Sequence, residues 1–221
     1  MDSKHLSKHI ILYIDILGMQ NKMSNEHSEH YLNVLSSFYD YMQYWNKDIV
    51  KILANKDVYF RVFSDNICIA IPVSKYDKHL PERCYSLLAF SQIIFSNALE
   101  EKLLIRGGIT VGDLYIDNIF IYGKGLIDSY KLENQNAVYP RIIISEDFIK
   151  LLRGKYEEDY KLDEDGLYSV NILSHLSRAK IDISGIKEFL QLEMEQNNSH
   201  LDIFQKYYWL FEKLNKGLAN E

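Results

Sequence analysis

The chain has 221 residues, 47% of them hydrophobic and 25% charged, and a formal net charge of −6. That length suits one full domain with a real core plus a helical extension. The negative charge argues against a non-specific nucleic-acid surface, the two cysteines (Cys68 and Cys84) make neither a disulfide framework nor a zinc motif, and no stretch reaches the roughly 18 apolar residues of a membrane span.

Residues 9–17 read as a buried central strand, being β-branched, aromatic and almost uninterrupted, with Gly18 closing it. Residues 28–53 read as a helix, with Tyr31, Val34, Leu35, Phe38, Tyr41, Met42 and Trp45 recurring at three-and-four spacing. Residues 57–63 and 66–72 are two strands of a tight hairpin with Asp65 at its tip. Residues 82–101 return to helical periodicity. Residues 103–123 are strand-like, and Gly112-Asp113 is the expected turn between two strands.

A shorter helix is predicted over 125–135, and a strand over 139–145. Ser145 followed by Glu146 and Asp147 reads as a helix start. A small strand pair is expected within 156–172, then helices over 184–195 and 199–216. Ser199 with Asp202 resembles a capping box, and Leu201, Phe204, Tyr208 and Phe211 are the face expected to dock on the domain or on another subunit. The order is a split βαββαβ pattern with additions, an α+β arrangement with helices on one face of the sheet. The expected division is a domain over 1–180 and a C-terminal helical extension over 181–221. The N-terminus MDSKHLSKHI has no apolar run ahead of a cleavage signal, so the expected setting is the cytoplasm.

Two carboxylates interrupt apolar strands: Asp15 in "LYIDILG" and Asp65 in "VFSDNICIAI". With the first strand beside the hairpin, Asp15 meets Asp65. Two facing carboxylates repel unless a positive charge lies between them. Mg²⁺ or Mn²⁺ is the simplest such charge, because a hard cation takes oxygen ligands and shares substrate phosphates. The backbone at Ile16 offers one more oxygen. The plain alternative for Asp65 is an ordinary turn residue. Arg61, Arg106, Lys131 and Arg141 are candidate phosphate partners, or equally surface and salt-bridge residues.

The segments "YIDILG", "FSD", "IRGGITVGD" and "YGKGLIDSYKLE" together resemble the class III nucleotidyl cyclase catalytic domain over about residues 9–145. "RGGIT", "IYGKGLIDSYKLE" and "YPRIIIS" look like the compact pyrimidine cyclases of bacterial anti-phage Pycsar systems. The resemblance implies a ferredoxin-like βαββαβ cyclase core used as a head-to-tail homodimer, with active sites between the subunits. It implies that Asp15 and Asp65, with the backbone of Ile16, bind Mg²⁺ or Mn²⁺. The ribose 3′-hydroxyl would then attack the α-phosphate and expel pyrophosphate.

The family's purine-cyclase pattern, laid on "FIYGKGLIDSYK", puts Phe120 at the adenine-selecting Asp, Ile127 at the ribose-positioning Asn and Lys131 at the transition-state Arg. Arg61 stands at the base-reading Lys. Lys131 keeps the charge and loses the bidentate fork, leaving Arg106 or Arg141 to supply phosphate contacts. Tyr59, Phe120 and Arg61 are the candidate base contacts. An arginine donates to the O4 of uracil and cannot accept from the amino group of cytosine, which favours UTP over CTP. The expected product is 3′,5′-cyclic UMP, an anti-phage second messenger for a separate cyclic-nucleotide-activated effector protein. Cyclic CMP, a remodelled adenylate or guanylate cyclase, and a catalytically inactive regulatory module are the alternatives.

Overall fold

The computed structural model describes residues 4–19, 28–52, 58–74, 76–117 and 119–218. Its centre is an eight-stranded mixed sheet. Strand β1 (Ser7–Ile16) lies between β3 (Asn66–Pro72) and β4 (Ile105–Ile116), antiparallel to both, and β2 (Tyr59–Phe63) is the outer strand beyond β3. This is the ferredoxin-like order expected from the βαββαβ pattern. Strand β5 (Ile121–Tyr122) turns back on the end of β4, β6 (Ile142–Ile144) adds in parallel to β4, and β7 (Tyr160–Leu162) with β8 (Tyr168–Val170) completes the far edge.

Strand period 2 divides β1 between the two faces of the sheet. Ile10, Leu12, Ile14 and Ile16 point into the main core, where Phe38 and Met42 of α1 (Ser28–Ile52) and Leu87, Leu88, Ile94, Phe95 and Ala98 of α2 (Leu80–Glu100) meet them. Tyr41 stands on the flank of the α1 stripe and is exposed. The side chain of Trp45, expected in the same stripe, lies outside the described residues. Cys68 and Cys84 are buried and free.

The opposite face carries a small core of Ile11, Cys68, Ala70, Leu114 and Ile116 under one short helix, α3 (Lys124–Lys131). A single turn of π-helix, Leu132–Asn136, continues α3. Gly112 lets α3 lie directly on β4, since a Cβ there would collide with the backbone of Gly125. The expected turn at Gly112-Asp113 is therefore absent. Strand β4 runs through it and the chain reverses after Ile116, where Asp117 Oδ1 accepts the N–H groups of Ile119 (2.7 Å) and Phe120 (3.0 Å). Sequence alone read that glycine as a bend, whereas it serves close packing.

Ser145 caps α4 (Glu146–Leu152) by accepting the Phe148 N–H, as its sequence context predicts. A short helix that the periodicity does not signal, α5 (Ile172–Arg178), follows β8 and is capped by Asn171. The last two helices are α6 (Ser184–Gln196) and α7 (Leu201–Leu218). The Ser199 hydroxyl meets the His200 ring at 3.3 Å and the helix begins beyond it, so the expected capping box is not formed. Tyr207, Leu210 and Leu214 of α7 join Ile186, Phe189 and Leu190 of α6 in the main core. Of the four residues on the expected docking face, Phe211 packs against the main core and Phe204 is half-buried, while Leu201 and Tyr208 are exposed. Among the described residues, no helix is long and apolar enough to cross a membrane.

Candidate active site

Strand register builds the site. Asp15 pairs with Asn66 on one side and Arg106 on the other, and Asn66 pairs with Phe63, forming one rung across four strands. The next rung joins Tyr13 to Cys68 and Gly108, and Cys68 to Arg61. Residues opposite each other in an antiparallel pair share a face, so Asp15, Tyr13, Asn66, Arg106 and Arg61 all stand on the face that α3 only partly covers.

The hairpin tip closes against the end of β1. Ile16 donates its N–H to the Asp65 carbonyl at 3.0 Å. Ser64, the first loop residue, takes φ +56°, and its carbonyl accepts the Tyr39 hydroxyl at 2.8 Å. The left-handed conformation is uncommon outside glycine, and this bond to α1 helps hold it.

Arg106 Nε donates to Asp15 Oδ2 at 3.2 Å and lies 2.6 Å from Glu133 Oε1. The single Nε–H points at Asp15, so Glu133 gains charge attraction without an aligned hydrogen bond. Glu133 sits in the π-helical turn and is only 2% exposed. Burial pushes its carboxyl up to about 7; Arg106 opposes the rise and Asp15 adds to it. Burial also lifts the Asp15 carboxyl, against the pull of Arg106, with the Asp65 charge adding and Lys206 of α7 drawing the other way. This corner of the sheet therefore has more negative charge than Arg106 neutralises.

Among the described residues, no three His, Cys, Asp or Glu side chains converge as a metal cage. A hard cation that brings water and phosphate ligands needs only one or two carboxylates. Asp15 and Asp65 fit that sparse donor set, and the unfavourable charge between them is what a cation would relieve.

The other expected residues fall into four places. The Arg61 guanidinium donates to the carbonyls of Phe60 (2.9 Å) and Asp117 (2.8 Å), which tie it to the β4–β5 turn. Phe120 stands exposed in that turn, 5.2 Å from the Tyr115 ring and with the Lys4 ammonium 4.5 Å from its own ring centre. Tyr59 is half-buried against the small core, 6.1 Å from the His9 ring. Lys131 ends α3, exposed.

Arg141 is buried elsewhere. It donates to Asp163 at 3.0 Å, to Asp165 and to the Asn136 carbonyl, and it lies 5.9 Å from the centre of the Trp209 indole, which itself stacks on Tyr139. Its guanidinium secures the β7–β8 turn, and its carbonyl accepts the Gly107 N–H at 3.0 Å. Sequence reasoning did not single out Tyr13, Asn66, Glu133 or Lys206. The β1–β4 register would have put Arg106 opposite Asp15, but the approach of Glu133 depends on how α3 crosses the sheet.

No protein-family model and no curated protein matches the sequence. Solved structures do match the fold. The adenylyl cyclase CyaB from P. aeruginosa superposes with a TM-score of 0.59 at 14% identity, over 76% of this chain and 96% of that one. The guanylyl cyclase domain of the RhoGC fusion protein from Blastocladiella emersonii gives 0.56 at 15%, over 77% and 98%. The guanylate cyclase domain of RhGC from Catenaria anguillulae, in complex with GTP, gives 0.55 at 15%, over 76% and 98%. The chain shares the fold of these adenylyl and guanylyl cyclase domains, and within it Asp15, Asp65 and Arg106 gather at the end of the first strand.

Proposed function

We propose that the chain is a divalent-metal-dependent pyrimidine nucleotide cyclase that converts UTP to 3′,5′-cyclic UMP and pyrophosphate. The observation that supports this reading is the backbone bond from Ile16 to Asp65, which fastens the Asp65 turn beside Asp15 and its partner Arg106. Asp15, Asp65 and the Ile16 carbonyl would hold Mg²⁺ or Mn²⁺, which lowers the pKa of the ribose 3′-hydroxyl and offsets phosphate charge. Asp15 and Asp65 fix the ribose end of the substrate relative to the sheet. Arg106 has outer nitrogens to offer the phosphates while its Nε stays on Asp15. The 3′-oxygen bonds to the α-phosphorus, the bond to the β-phosphate oxygen breaks, and the 3′ proton leaves to solvent.

Base choice is assigned to Arg61, with Tyr59 and Phe120 as the aromatic surroundings. Backbone carbonyls use two of its five N–H groups. The remainder can donate to uracil O4, and none can accept from a cytosine amino group. Phe63, Ile119, Tyr122 and Ile127 are exposed apolar side chains, with Phe63 82% and Ile119 88% accessible. Exposed apolar side chains of this kind suit a homodimer interface with shared active sites, in which Lys131 serves the partner's substrate. The product is assigned the role of a cytoplasmic anti-phage second messenger read by a separate effector chain.

A purine cyclase is the second reading, because the similar solved structures are named as adenylyl and guanylyl cyclases. The deciding experiment incubates the protein with ATP, GTP, CTP or UTP in Mn²⁺ and in Mg²⁺ and identifies products by mass. Cyclic UMP is expected. Cyclic CMP would move Arg61 off the base, a cyclic purine would replace the pyrimidine reading, and no product together with no triphosphate binding would mark an inactive module.

A further inference from the structure

The two carboxylates are held by unlike partners. Asp15 has the Arg106 cation at 3.2 Å. Asp65, among the described residues, makes no ion pair; its Oδ1 accepts a hydrogen bond from Asn66 Nδ2 at 3.0 Å. Asn66 Oδ1 in turn accepts the Tyr13 hydroxyl at 2.7 Å. A carboxylate only accepts, so the amide must turn its NH₂ toward Asp65 and leave its oxygen for the phenol. The direction of the relay is thus fixed by chemistry. A phenol is protonated at neutral pH, so Tyr13 is the donor in this bond. The Tyr13 ring is fixed by an edge-on contact with Tyr130, centres 5.7 Å apart.

We propose that Tyr13 and Asn66 are positioning residues for Asp65, holding its carboxylate in the orientation that receives the divalent cation. The proposal rests on the metal-dependent reading given above. A neutral amide fixes one carboxylate oxygen without cancelling its charge, whereas a second arginine would compete with the metal. One carboxylate oxygen, Oδ2, is left outside the relay. The asymmetry gives the site one carboxylate shared with Arg106 and one kept available for the ion. Partners of this outer kind typically change metal affinity by roughly 10–100-fold.

The test is a Mn²⁺ titration of the full chain, following the free-ion EPR signal, with thermal unfolding as a check on the fold. Tyr13→Phe removes only the hydroxyl and should weaken Mn²⁺ binding by about 3–10-fold, the scale of one hydrogen bond. Asn66→Ala should weaken it by roughly 10–100-fold, and Asp65→Ala should abolish it. Saturating Mn²⁺ should restore the wild-type KM for the triphosphate in Tyr13→Phe, a recovery that general damage to the fold would not allow. Wild-type Mn²⁺ affinity in both Tyr13→Phe and Asn66→Ala, with binding lost in Asp65→Ala, overturns the relay alone. No uptake by the wild type, or equal uptake by Asp65→Ala, overturns the metal reading and the relay with it.

Discussion

The N–H of Ile16 donates to the carbonyl of Asp65 at 3.0 Å, fastening the end of β1 to the tip of the β2–β3 hairpin. The bond is between backbones, so it does not depend on the Asp65 side chain. Asp65→Ala is therefore expected to fold normally and to lower turnover by more than about 100-fold, the scale of losing an electrostatic stabiliser of the transition state. Product formation by the purified variant, set beside its unfolding curve, measures both.

Arg106 has its Nε between Asp15 and a buried Glu133. Its removal withdraws the cation that opposes the rise of the Glu133 carboxyl, so Glu133 binds a proton at neutral pH instead of remaining a bare buried charge. Arg106→Ala should therefore lose stability relative to wild type as pH rises above 7, and Arg106→Ala with Glu133→Gln should recover much of it. Urea unfolding of the single and double variants tests the coupling.

Glu133 gives a pH dependence of known sign. A buried carboxyl with a folded pKa of about 7 and an ordinary value of 4.5 favours the folded state while protonated. Its contribution is complete below the ordinary value and is lost as pH rises through the folded one. Wild-type protein without added metal should lose Tm relative to Glu133→Gln between about pH 5 and pH 7.5. Parallel Tm curves for the two proteins over that range would refute the assignment.

Arg61 is tied to the Asp117 carbonyl and stands one rung from Asp15 on the same face. Arg61→Ala should reduce the preference for UTP over CTP by roughly 10-fold, the scale of one charge-assisted hydrogen bond. Competition between the two triphosphates, with products separated by mass, reads the ratio directly. An unchanged ratio would remove Arg61 from the base.

If sites are shared between subunits, Asp65→Ala and Lys131→Ala complement each other. Mixed heterodimers should regain part of the activity that each variant lacks alone. Absence of recovery in a verified heterodimer would confine Lys131 to its own subunit.

The sheet order was legible because the apolar runs of β1, β3 and β4 are long and the hairpin turn is short. The carboxylates stood out for the same reason, as charges inside those runs. Glu133 did not, because it follows a short amphipathic helix where an acid is unremarkable; the lie of α3 across β4, with Gly108 directly beneath the backbone of Ser129 and Glu133, buries it. Arg141 looked like a phosphate ligand beside a strand, and its partners Asp163 and Asp165 lie on a turn whose position depends on the far edge of the sheet. Gly112 misled for a related reason: sequence reports that a residue is small, and not whether the space is used for a bend or for a neighbour.

The Arg141 residue joins two distant parts of the chain. Its carbonyl is bonded to Gly107, next to Arg106, while its side chain packs near Trp209 of the last helix. Leu210 and Leu214, which follow Trp209 in the helix, are buried in the main core. The tail and the sheet edge should therefore open together rather than in sequence, as one cooperative unit. Deleting the terminal helix would remove part of the packing that Arg141 links to β4, so the helix is expected to be needed for a stable sheet edge.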